Sequence, residues 1–461
     1  MADLHQLDAS ELAALYRARK ASPVEVVRAV IAHIERCEPK LQALYAYDPD
    51  AALSQARASE ARWADGQPLS ALDGVPGTLK ENIASKGTPV PVGTAASLLT
   101  PAAEDAPPAA RWREAGAVLL AKTTMPDFGM LSSGLSSFHK LARNPWDLSM
   151  NPGGSSAGAG AASAAGYGPL HVGTDIGGSI RLPAGWCGVF GLKPSLGRIP
   201  IKPPYAGRVA GPMTRTVIDA ALLMAELSKP DWRDTMSLPY QAIEWTRLQR
   251  EIKGLKLGLH LDAGWGLAVE PEVRDAVVAA AKAFEAAGAT VEPMAAFSTR
   301  AHIDGMDRFW RMRSWLDMQA LPAERRDKVL PYIRAWVEPG ARLTAPEVFD
   351  GYSQMGAMRE AAIAACRPYD FVLSPVSPVP TYAAEWAGPT NDPKRPLEHI
   401  AFTLPYNMSE QPAASINCGY TSTGLPIGLQ IIGHRHDDLG VLQVAWAYEQ
   451  MRPPQRPWPT F

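Results

Sequence analysis

One stretch, from Gly153 to Pro194, limits the folds open to this chain more than any other. Its first sixteen residues include six Gly, six Ala and three Ser, so the backbone there can approach other backbone closely. The stretch then continues into the alternating apolar sequence LHVGTDIGGSI and the compact WCGVFGLKP. A flexible Gly/Ser linker would not continue in this way, and we therefore interpret the stretch as a crowded, buried segment.

Two serines lie in Gly-rich turns of this stretch, Ser155 in GGSS and Ser179 in DIGGSIR. A serine that follows two glycines is well placed as a nucleophile, because backbone N–H groups around it can converge on one point. The groups that would form such an oxyanion hole belong to Ile176, Gly177, Gly178 and Ser179. For any single GGS sequence, a tight turn with an incidental serine is the alternative.

A lysine in LDGVPGTLKENI is the third candidate for chemistry. Val75 and Leu79 indicate a strand that carries Lys80 into the interior. Burial favours the neutral amine and can lower the pKa of a lysine by up to about 3 to 5, so Lys80 would be a usable base near neutral pH. A surface lysine at a strand end is the alternative that this segment alone leaves open.

Lys80, Ser155 and Ser179, in this order, resemble the three catalytic positions of the amidase signature family. The similarity extends through RNPWDLSMNPGGSS and CGVFGLKPSLGRIP to NCGYTSTGLPIGLQIIG, so it covers most of the chain. Ala157 departs from the signature, which usually has Gly or Ser there. The resemblance implies an α/β fold with a large mixed β-sheet covered by helices on both faces. It also implies a single domain over residues 1–461, with a signature core at about 72–215.

The resemblance further implies an amidase that cuts the C–N bond of a carboxylic amide through an acyl-enzyme. Ser179 would attack the carbonyl carbon, Ser155 would relay the proton and Lys80 would be the terminal base. In the family the peptide bond at the first of these serines is cis. The residues expected to orient the two serines and their loops are Ser156, Asp175 and Arg181. This chemistry needs no metal and no cofactor.

The substrate cavity is expected, by the same resemblance, beside the loop MPDFGMLSSGLSSFHKLARNPWDLSMNP. Its apolar side chains favour an uncharged acyl or aryl group, although ordinary core contacts would explain them equally well. The candidate pocket residues are Met130, Leu131, Leu135 and Phe138, and the candidates for the cavity mouth are Tyr205 and Arg208. A helical region at about 297–365 carries Trp310, Trp315 and Trp336, which fit either a core or an aromatic pocket. Substrate choice is expected to be encoded in this region.

Two short motifs suggest other serines as nucleophiles. Ser137 and Lys140 match the SxxK pattern of penicillin-binding enzymes, but no SDN or KTG sequence follows. Gly154 to Gly158 matches the GxSxG elbow of α/β-hydrolases, which would make Ser156 the nucleophile. That elbow requires a strand immediately before the serine, whereas RNPWDLSMNPGG has the composition of a loop. The sequence therefore favours neither motif.

Composition excludes several classes of protein. Hydrophobic residues at 46% and charged residues at 20% are ordinary for a globular protein, and a net charge of -2 provides no basic field for nucleic acid. The sequence has no signal-peptide pattern and no run of 18 or more apolar residues, so we expect a cytoplasmic protein with no membrane partner. Its four cysteines form no CxxC pair, and His434 and His436 have no third ligand nearby that would suggest zinc.

Three aspects of function stay open at this point. The expected partner is a small-molecule amide, but carbamates (urethanes) and esters are also possible substrates. The alternative function is that of a glutamine-amidase subunit within a tRNA-dependent amidotransferase, since the family includes such subunits. A catalytically silent scaffold is disfavoured because all three chemical residues are present. Family members are commonly dimers, which makes a homodimer an expectation that the sequence does not decide.

Overall fold

The computed structural model describes residues 3–461, and its frame is an eleven-stranded mixed β-sheet. The strands are β1 (Leu44–Tyr45), β2 (Pro76–Lys80), β3 (Val118–Thr123), β4 (Leu170–Asp175), β5 (Phe190–Lys193), β6 (Val209–Thr214), β7 (Lys256–Leu259), β8 (Thr290–Pro293), β9 (Phe371–Pro375), β10 (Ala413–Tyr420) and β11 (Pro426–Ile432). Their order across the sheet is β1-β3-β2-β4-β6-β5-β10-β11-β9-β7-β8.

Helices cover both faces of this sheet, as the predicted α/β fold class requires. They are α1 (Ala9–Arg17), α2 (Pro23–Leu41), α3 (Pro49–Ala64), α4 (Pro107–Glu114), α5 (Ala157–Ala165), α6 (Arg181–Cys187), α7 (Val217–Leu227), α8 (Pro271–Ala286), α9 (Arg300–Gln319), α10 (Pro331–Val337), α11 (Ala345–Cys366), α12 (Leu404–Met408) and α13 (Asp438–Met451). Capping boxes begin α1 at Asp8 and α2 at Ser22, where the side chain accepts from a backbone N–H three residues later. Within residues 3–461, no helix combines the length and apolar character needed to cross a membrane.

Strand pairing brings the chemical residues to one edge of the sheet. β2 lies between β3 and β4 and runs parallel to both, so the carboxyl ends of these strands lie side by side. Lys80 is the last residue of β2 and Asp175 is the last residue of β4. The turn that carries Ser179 follows β4 directly, which places it close to the end of β2.

Alternation along β2 directs neighbouring side chains to opposite faces. Leu79 joins the largest apolar cluster, which packs one face of the sheet against α2, α4, α7, α8 and α13. On the other face, Ala159 of α5 and Ala184 of α6 pack against Met213 of β6. Lys80 lies on this second face, where it meets the residues that precede α5. Lysine at the strand end is therefore buried under a helix and not exposed at a sheet edge.

The Ala- and Gly-rich helix α5 is buried along its whole length, which explains its composition. A Cβ added at Gly158 would lie 2.2 Å from the carbonyl oxygen of Ala43 and 2.5 Å from the backbone nitrogen of Thr124. Real Cβ atoms do not approach backbone so closely, and only glycine allows the start of α5 to dock on the end of β3. The predicted crowding of this stretch is thus observed.

A second apolar cluster covers the carboxyl edge of these strands. Its members include Met306 and Trp310 from α9, Trp336 from α10 and Met358 from α11. These helices correspond to the helical region expected at about 297–365. The cluster also contains Ile400 from the short 3-10 helix Glu398–Ile400, and it forms one wall above the end of the sheet.

Candidate active site

Lys80 is fully buried, and its only side-chain partners among residues 3–461 are two serine hydroxyls. The Nζ atom lies 2.7 Å from Ser155 Oγ and 3.1 Å from Ser156 Oγ. Burial lowers the pKa of Lys80 to about 7, and the positive charge of Arg208 acts in the same direction. A substantial fraction of this amine is therefore neutral near neutral pH, as a general base requires.

Ser156 links the lysine to β4 and to the turn that follows it. Its hydroxyl donates to the carbonyl oxygen of Thr174 at 3.1 Å and accepts from the N–H of Thr174 at 3.2 Å. The Ser156 N–H donates to the carbonyl oxygen of Ser179 at 3.1 Å. No strand precedes Ser156, and its hydroxyl is fully engaged inside the protein. This arrangement is that of a positioning residue and lacks the geometry of a GxSxG nucleophile.

Ser155 and Ser179 meet across a shared cavity. The Gly154–Ser155 peptide bond is cis, and the Ser155 side chain lies between Lys80 and the cavity. The Ser179 hydroxyl also lines this cavity and has no hydrogen-bond partner in the described part of the chain. The structure thus brings Lys80, Ser155 and Ser179 together, with a direct hydrogen bond between Lys80 and Ser155 and a free hydroxyl at Ser179.

A buried ion pair holds the turn that carries Ser179. The Arg181 guanidinium donates to both carboxylate oxygens of Asp175 at 3.0 Å. Burial works against the charged carboxylate, but Arg181 and the amide of Asn407 outweigh it and hold the pKa of Asp175 well below its usual range. Asp175 in turn accepts from the N–H of Gly178 at 2.8 Å and of Ile180 at 3.1 Å. The carboxylate therefore fixes the backbone on both sides of Ser179.

These bonds change the expected oxyanion hole. Gly178 is one of the four expected donors, but its N–H points to Asp175 and is not available. The N–H groups of Ile176, Gly177 and Ser179 have no acceptor among the hydrogen bonds within residues 3–461. Three of the four expected donors thus have no acceptor within the described chain, and the fourth stabilises the turn.

Two cavities open beside Ser179. The apolar pocket is lined by Phe128, Gly129, Met130, Ser132, Ile176, Gly177, Ser179, Trp310, Arg313, Ser314, Trp336, Pro396, Leu397, His399 and Ile400. The arginine cavity is lined by Asn82, Ala84, Val90, Val92, Phe128, Gly129, Ser155, Thr174, Asp175, Ile176, Ser179, Lys202, Pro203, Tyr205, Arg208, Arg313 and Asp317, and has a volume of about 590 Å³. Ser179 lies where the two meet, so a carbonyl group at this point could extend a substituent into each.

Comparison with known proteins decides the family. The Amidase family profile matches residues 25–442, which is most of the chain. A solved bacterial aryl acylamidase of the amidase signature enzymes superimposes with a TM-score of 0.90 and 30% identity, over 98% of this chain and 97% of that one. The chain belongs to the amidase signature family. It is accordingly a hydrolase that acts on C–N bonds in amides.

Relatives of this amidase differ in their functions. It is 35% identical to a glutamyl-tRNA(Gln) amidotransferase subunit of Myxococcus xanthus, over 97% of both chains. It is 31% identical to an acylamidase of Rhodococcus erythropolis, over 98% of this chain and 96% of the relative. The native peptide amidase of Stenotrophomonas maltophilia superimposes with a TM-score of 0.84 at 25% identity, over 99% of both chains. The solved aryl acylamidase and peptide amidase share this fold although their names give different activities, so the fold alone does not identify the substrate.

Of the four pocket residues predicted for the amidase from its sequence, one lies at a cavity wall and three lie elsewhere. Met130 lines the apolar pocket as expected. Leu131 is buried in the second apolar cluster and Leu135 packs against it, so neither reaches the two cavities. Phe138 lies edge-on to Tyr45 and to the ring of its neighbour His139. These side chains follow the alternative that the sequence left open, ordinary packing.

Other residues of the amidase line the pocket instead. Trp310 and Trp336 belong to the second apolar cluster and also line the apolar pocket. The sequence leaves open whether they belong to a core or to a pocket, and in the structure they belong to both. Phe128 borders both cavities from the predicted loop. His399 also lines the apolar pocket, although it lies far from Ser179 in the sequence. The sequence does not predict this position, because an isolated histidine belongs to no recognisable motif. Tyr205 and Arg208, the candidates for the cavity mouth, line the arginine cavity.

Neither remaining motif of the amidase forms a site. Ser137 donates to Asp127 at 2.6 Å in a segment without helix, and Lys140 is exposed, so the helical geometry of an SxxK pair is missing. Across residues 3–461, no three or more His, Cys, Asp or Glu side chains are grouped as metal ligands would be.

Proposed function

We propose that this amidase hydrolyses amides that carry an apolar or aryl acyl group, with Ser179 as nucleophile, Ser155 as proton relay and Lys80 as base. The observation that carries the proposal is the 2.7 Å hydrogen bond between the buried Lys80 Nζ and Ser155 Oγ, at a cavity that Ser179 also lines. A serine between lysine and nucleophile extends the reach of a base that is held inside the protein.

The first half of the reaction forms the acyl-enzyme. Neutral Lys80 accepts the Ser155 proton while Ser155 accepts that of Ser179, and Ser179 Oγ bonds to the carbonyl carbon. The carbonyl oxygen takes the negative charge and is stabilised by the free N–H groups of the Ser179 turn. When the C–N bond breaks, Ser155 donates its proton to the leaving nitrogen and regains one from Lys80. Water then attacks the ester by the same relay, which releases the acid and restores Ser179.

The apolar pocket supports the proposed acyl preference. Phe128, Ile176 and Trp310 give the pocket its apolar surface. Its one charged lining residue, Arg313, is paired with Asp317 at 3.6 Å, so the pocket disfavours a charged acyl group. The same sequence of steps would open carbamates and esters, because each presents a carbonyl carbon with a heteroatom leaving group. We therefore include both as further proposed substrates.

The test is a panel of aryl amides, fatty amides, carbamates and p-nitrophenyl esters given to the purified protein. We expect hydrolysis of apolar amides and a loss of at least about 1,000-fold in kcat for Ser179→Ala, since the nucleophile is removed. Ser353→Ala, which changes an exposed hydroxyl on α11, is the matched control and should keep full activity. Inactivity of the wild type on every substrate, or full activity of Ser179→Ala, would reject the proposal.

The second candidate function is that of one subunit in a tRNA-dependent amidotransferase. The 35% identity to the glutamyl-tRNA(Gln) amidotransferase subunit of Myxococcus xanthus, over 97% of both chains, favours it. Glutamine-dependent release of ammonia, together with co-purification of two partner subunits, would support this function over a free hydrolase. A mass measurement by light scattering in the same preparation checks the prediction of a homodimer.

A further inference from the structure

Ser155, the proposed proton relay, borders one of the two cavities and not the other. This difference indicates which cavity holds the acyl half of an amide and which holds the amine half. This step rests on the proposed function. Ser155 lines the arginine cavity and is absent from the wall of the apolar pocket. Because Ser155 must donate a proton to the leaving nitrogen, that nitrogen has to lie on the arginine-cavity side of Ser179. The acyl group then extends into the apolar pocket and the amine half extends into the arginine cavity.

Arg208 is the unusual residue of this cavity. It lies directly before β6, and its side chain makes one hydrogen bond, from a terminal nitrogen to the carbonyl oxygen of Pro203 at 3.2 Å. A guanidinium has five N–H donors in a rigid fork, so most of those of Arg208 are unused. No carboxylate of residues 3–461 lies within 4.0 Å of it. Burial lowers the pKa of Arg208 to about 10, which still leaves it charged at neutral pH.

The other charges around the cavity are matched in pairs. Arg181 binds Asp175, and Arg313 lies 3.6 Å from Asp317 and stacks over the ring of Tyr205. At the rim, the exposed Lys202 pairs with Glu104. Arg208 therefore contributes one uncompensated positive charge to a half-buried position. A single unpaired guanidinium fits a single carboxylate, which its fork can bind through two hydrogen bonds.

We propose that the arginine cavity is the binding site of the leaving amine and that Arg208 pairs with a carboxylate on that amine. The preferred substrates are N-acyl derivatives of amino acids or aminobenzoates, with an apolar acyl group. The cavity volume of about 590 Å³ accommodates a group of this size. Arg208 is a specificity-determining residue in this scheme and takes no part in proton transfer.

A matched pair of substrates tests the pairing. N-benzoyl-4-aminobenzoate and N-benzoyl-4-nitroaniline share the acyl group, and their carboxylate and nitro groups have the same shape but differ in charge. Arg208→Gln should lower kcat/KM for the carboxylate substrate by about 10- to 100-fold, the effect expected of a lost hydrogen bond to a charged group. At pH 9, where Lys80 is largely neutral with or without the charge of Arg208, kcat/KM for the nitroanilide should change by less than about threefold. Comparing each substrate between the two variants cancels the difference in leaving-group reactivity.

Two further variants separate charge pairing from damage to the fold. Arg334→Gln removes an exposed arginine of α10 away from both cavities and should leave both substrates unaffected. Arg208→Lys keeps the charge without the fork and should recover part of the loss for the carboxylate substrate. Equal losses for both substrates in Arg208→Gln, with no recovery in Arg208→Lys, would overturn the proposal.

The pH profile gives an independent readout. The charged groups that act on Lys80 are Arg208, which lowers its pKa, and Asp175 and Glu81, which raise it. Asp175 is bound by Arg181, and Glu81 by His139 at 2.6 Å. A carboxylate on Arg208 would offset its charge and shift the limiting pKa of kcat upward relative to the nitroanilide. Identical profiles for the two substrates would count against the pairing.

Binding of the product amine keeps this inference separate from the hydrolase proposal. Calorimetry with 4-aminobenzoate and Ser179→Ala requires no turnover. We expect binding that is weakened about tenfold or more by adding Arg208→Gln, and no such effect with 4-nitroaniline. If the wild type hydrolyses neither substrate but this difference appears, the hydrolase proposal fails and the carboxylate site stands. If 4-aminobenzoate does not bind, or binds independently of Arg208, the site itself is rejected.

Discussion

Lys80 shows how burial, together with the nearby charge of Arg208, brings the pKa of a lysine into the range that a base needs near neutral pH. The amine has two hydroxyl partners and no carboxylate within salt-bridge distance in the described chain, so nothing compensates the charged form directly. Asp175 and Glu81 lie close enough to act on it through space, yet they do not outweigh desolvation. Their engagement with Arg181 and His139 leaves the lysine as the residue that loses charge.

The pH dependence of activity follows from this environment. Since Lys80 must be neutral to accept a proton and its pKa is about 7, kcat/KM should fall about tenfold per pH unit below 7 and level off above 8. The loss at low pH reflects protonation, so it should be reversible when the pH is restored. Initial rates between pH 5 and 9 measure the profile. A flat profile across pH 7, with the protein folded throughout, would contradict the role of Lys80.

The sequence identifies the three residues of the proposed reaction, but it does not predict their surroundings. Lys80, Ser155 and Ser179 are marked by Gly-rich turns and a strand end, which are local features of the chain. The direction of the Gly178 N–H depends on the carboxylate of Asp175, which no local pattern reveals. His399 reaches the pocket through a tertiary contact across more than two hundred residues of sequence. Such contacts are set by the packing of the whole chain and lie beyond what spacing can predict.

At the scale of elements, helix α5 positions the two serines that contact Lys80. Its small Gly and Ala residues allow its backbone to pack closely against the sheet. Its N-terminal end docks on the end of β3, where the Gly158 N–H donates to the carbonyl oxygen of Thr124 at 3.1 Å. Ser156 and Ser155 lie two and three residues before this contact. The position of both serines therefore depends on how closely α5 approaches β3.

Gly158→Ala tests that dependence. Alanine favours a helix by about 1 kcal/mol over glycine, but here its Cβ would lie 2.2 Å from the Ala43 carbonyl oxygen. We expect a net loss of about 1 to 3 kcal/mol in the free energy of unfolding, as for overpacked cores, and reduced kcat from the shifted serines. The control is Gly356→Ala in α11, where a Cβ would meet nothing within 4 Å and should stabilise by about 0.4 to 1 kcal/mol. Urea unfolding of both variants measures the difference, and equal effects would contradict the argument.

The elements themselves were predictable further than their arrangement. Alternation of strands and helices in the sequence indicated a mixed sheet between helical layers, which is what forms. The order of the strands in the sheet could not be predicted in this way, because it does not follow their order in the chain. β10 lies beside β5, and β9 lies between β7 and β11. Those neighbours are more than fifty residues apart in several cases, and hydrophobic patterns do not specify partners over such distances.

Across the whole molecule, three buried lysines lie at or next to the ends of strands in one sheet. Lys80 closes β2, Lys122 is the penultimate residue of β3, and Lys193 closes β5. Burial lowers the pKa of each to about 7. Of the three, only Lys80 contacts Ser155, which lines the arginine cavity. Lys122 donates to Ser85 Oγ at 3.0 Å and to the carbonyl oxygen of Ile83. Lys193 donates to the carbonyl oxygen of Pro194 at 3.0 Å. Lys122 and Lys193 thus have lowered pKa values without a role in the proposed reaction.

These lysines couple the stability of the molecule to pH. The pKa of Lys122 is about 7 in the folded protein and about 10.4 in an unfolded chain, so between these values the unfolded chain binds more protons. The free energy of unfolding therefore rises with pH across this window, by up to about 1.4 kcal/mol per pH unit for one group. In Lys122→Met, the unfolded chain no longer binds this additional proton. Urea unfolding at pH 7, 8 and 9 should show a shallower rise for Lys122→Met than for the wild type.

A second variant separates titration from the loss of a hydrogen bond. Ser85→Ala removes a partner of Lys122 and keeps the amine, so it should lower the free energy of unfolding at every pH while preserving the wild-type slope. Activity on an apolar amide should keep its limiting pKa near 7 in Lys122→Met, because that profile belongs to Lys80. Parallel stability curves for Lys122→Met and the wild type from pH 7 to 9 would mean that Lys122 stays charged in the folded protein. The buried charge would then have to be stabilised by Glu81 and Asp105, the two carboxylates that raise its pKa.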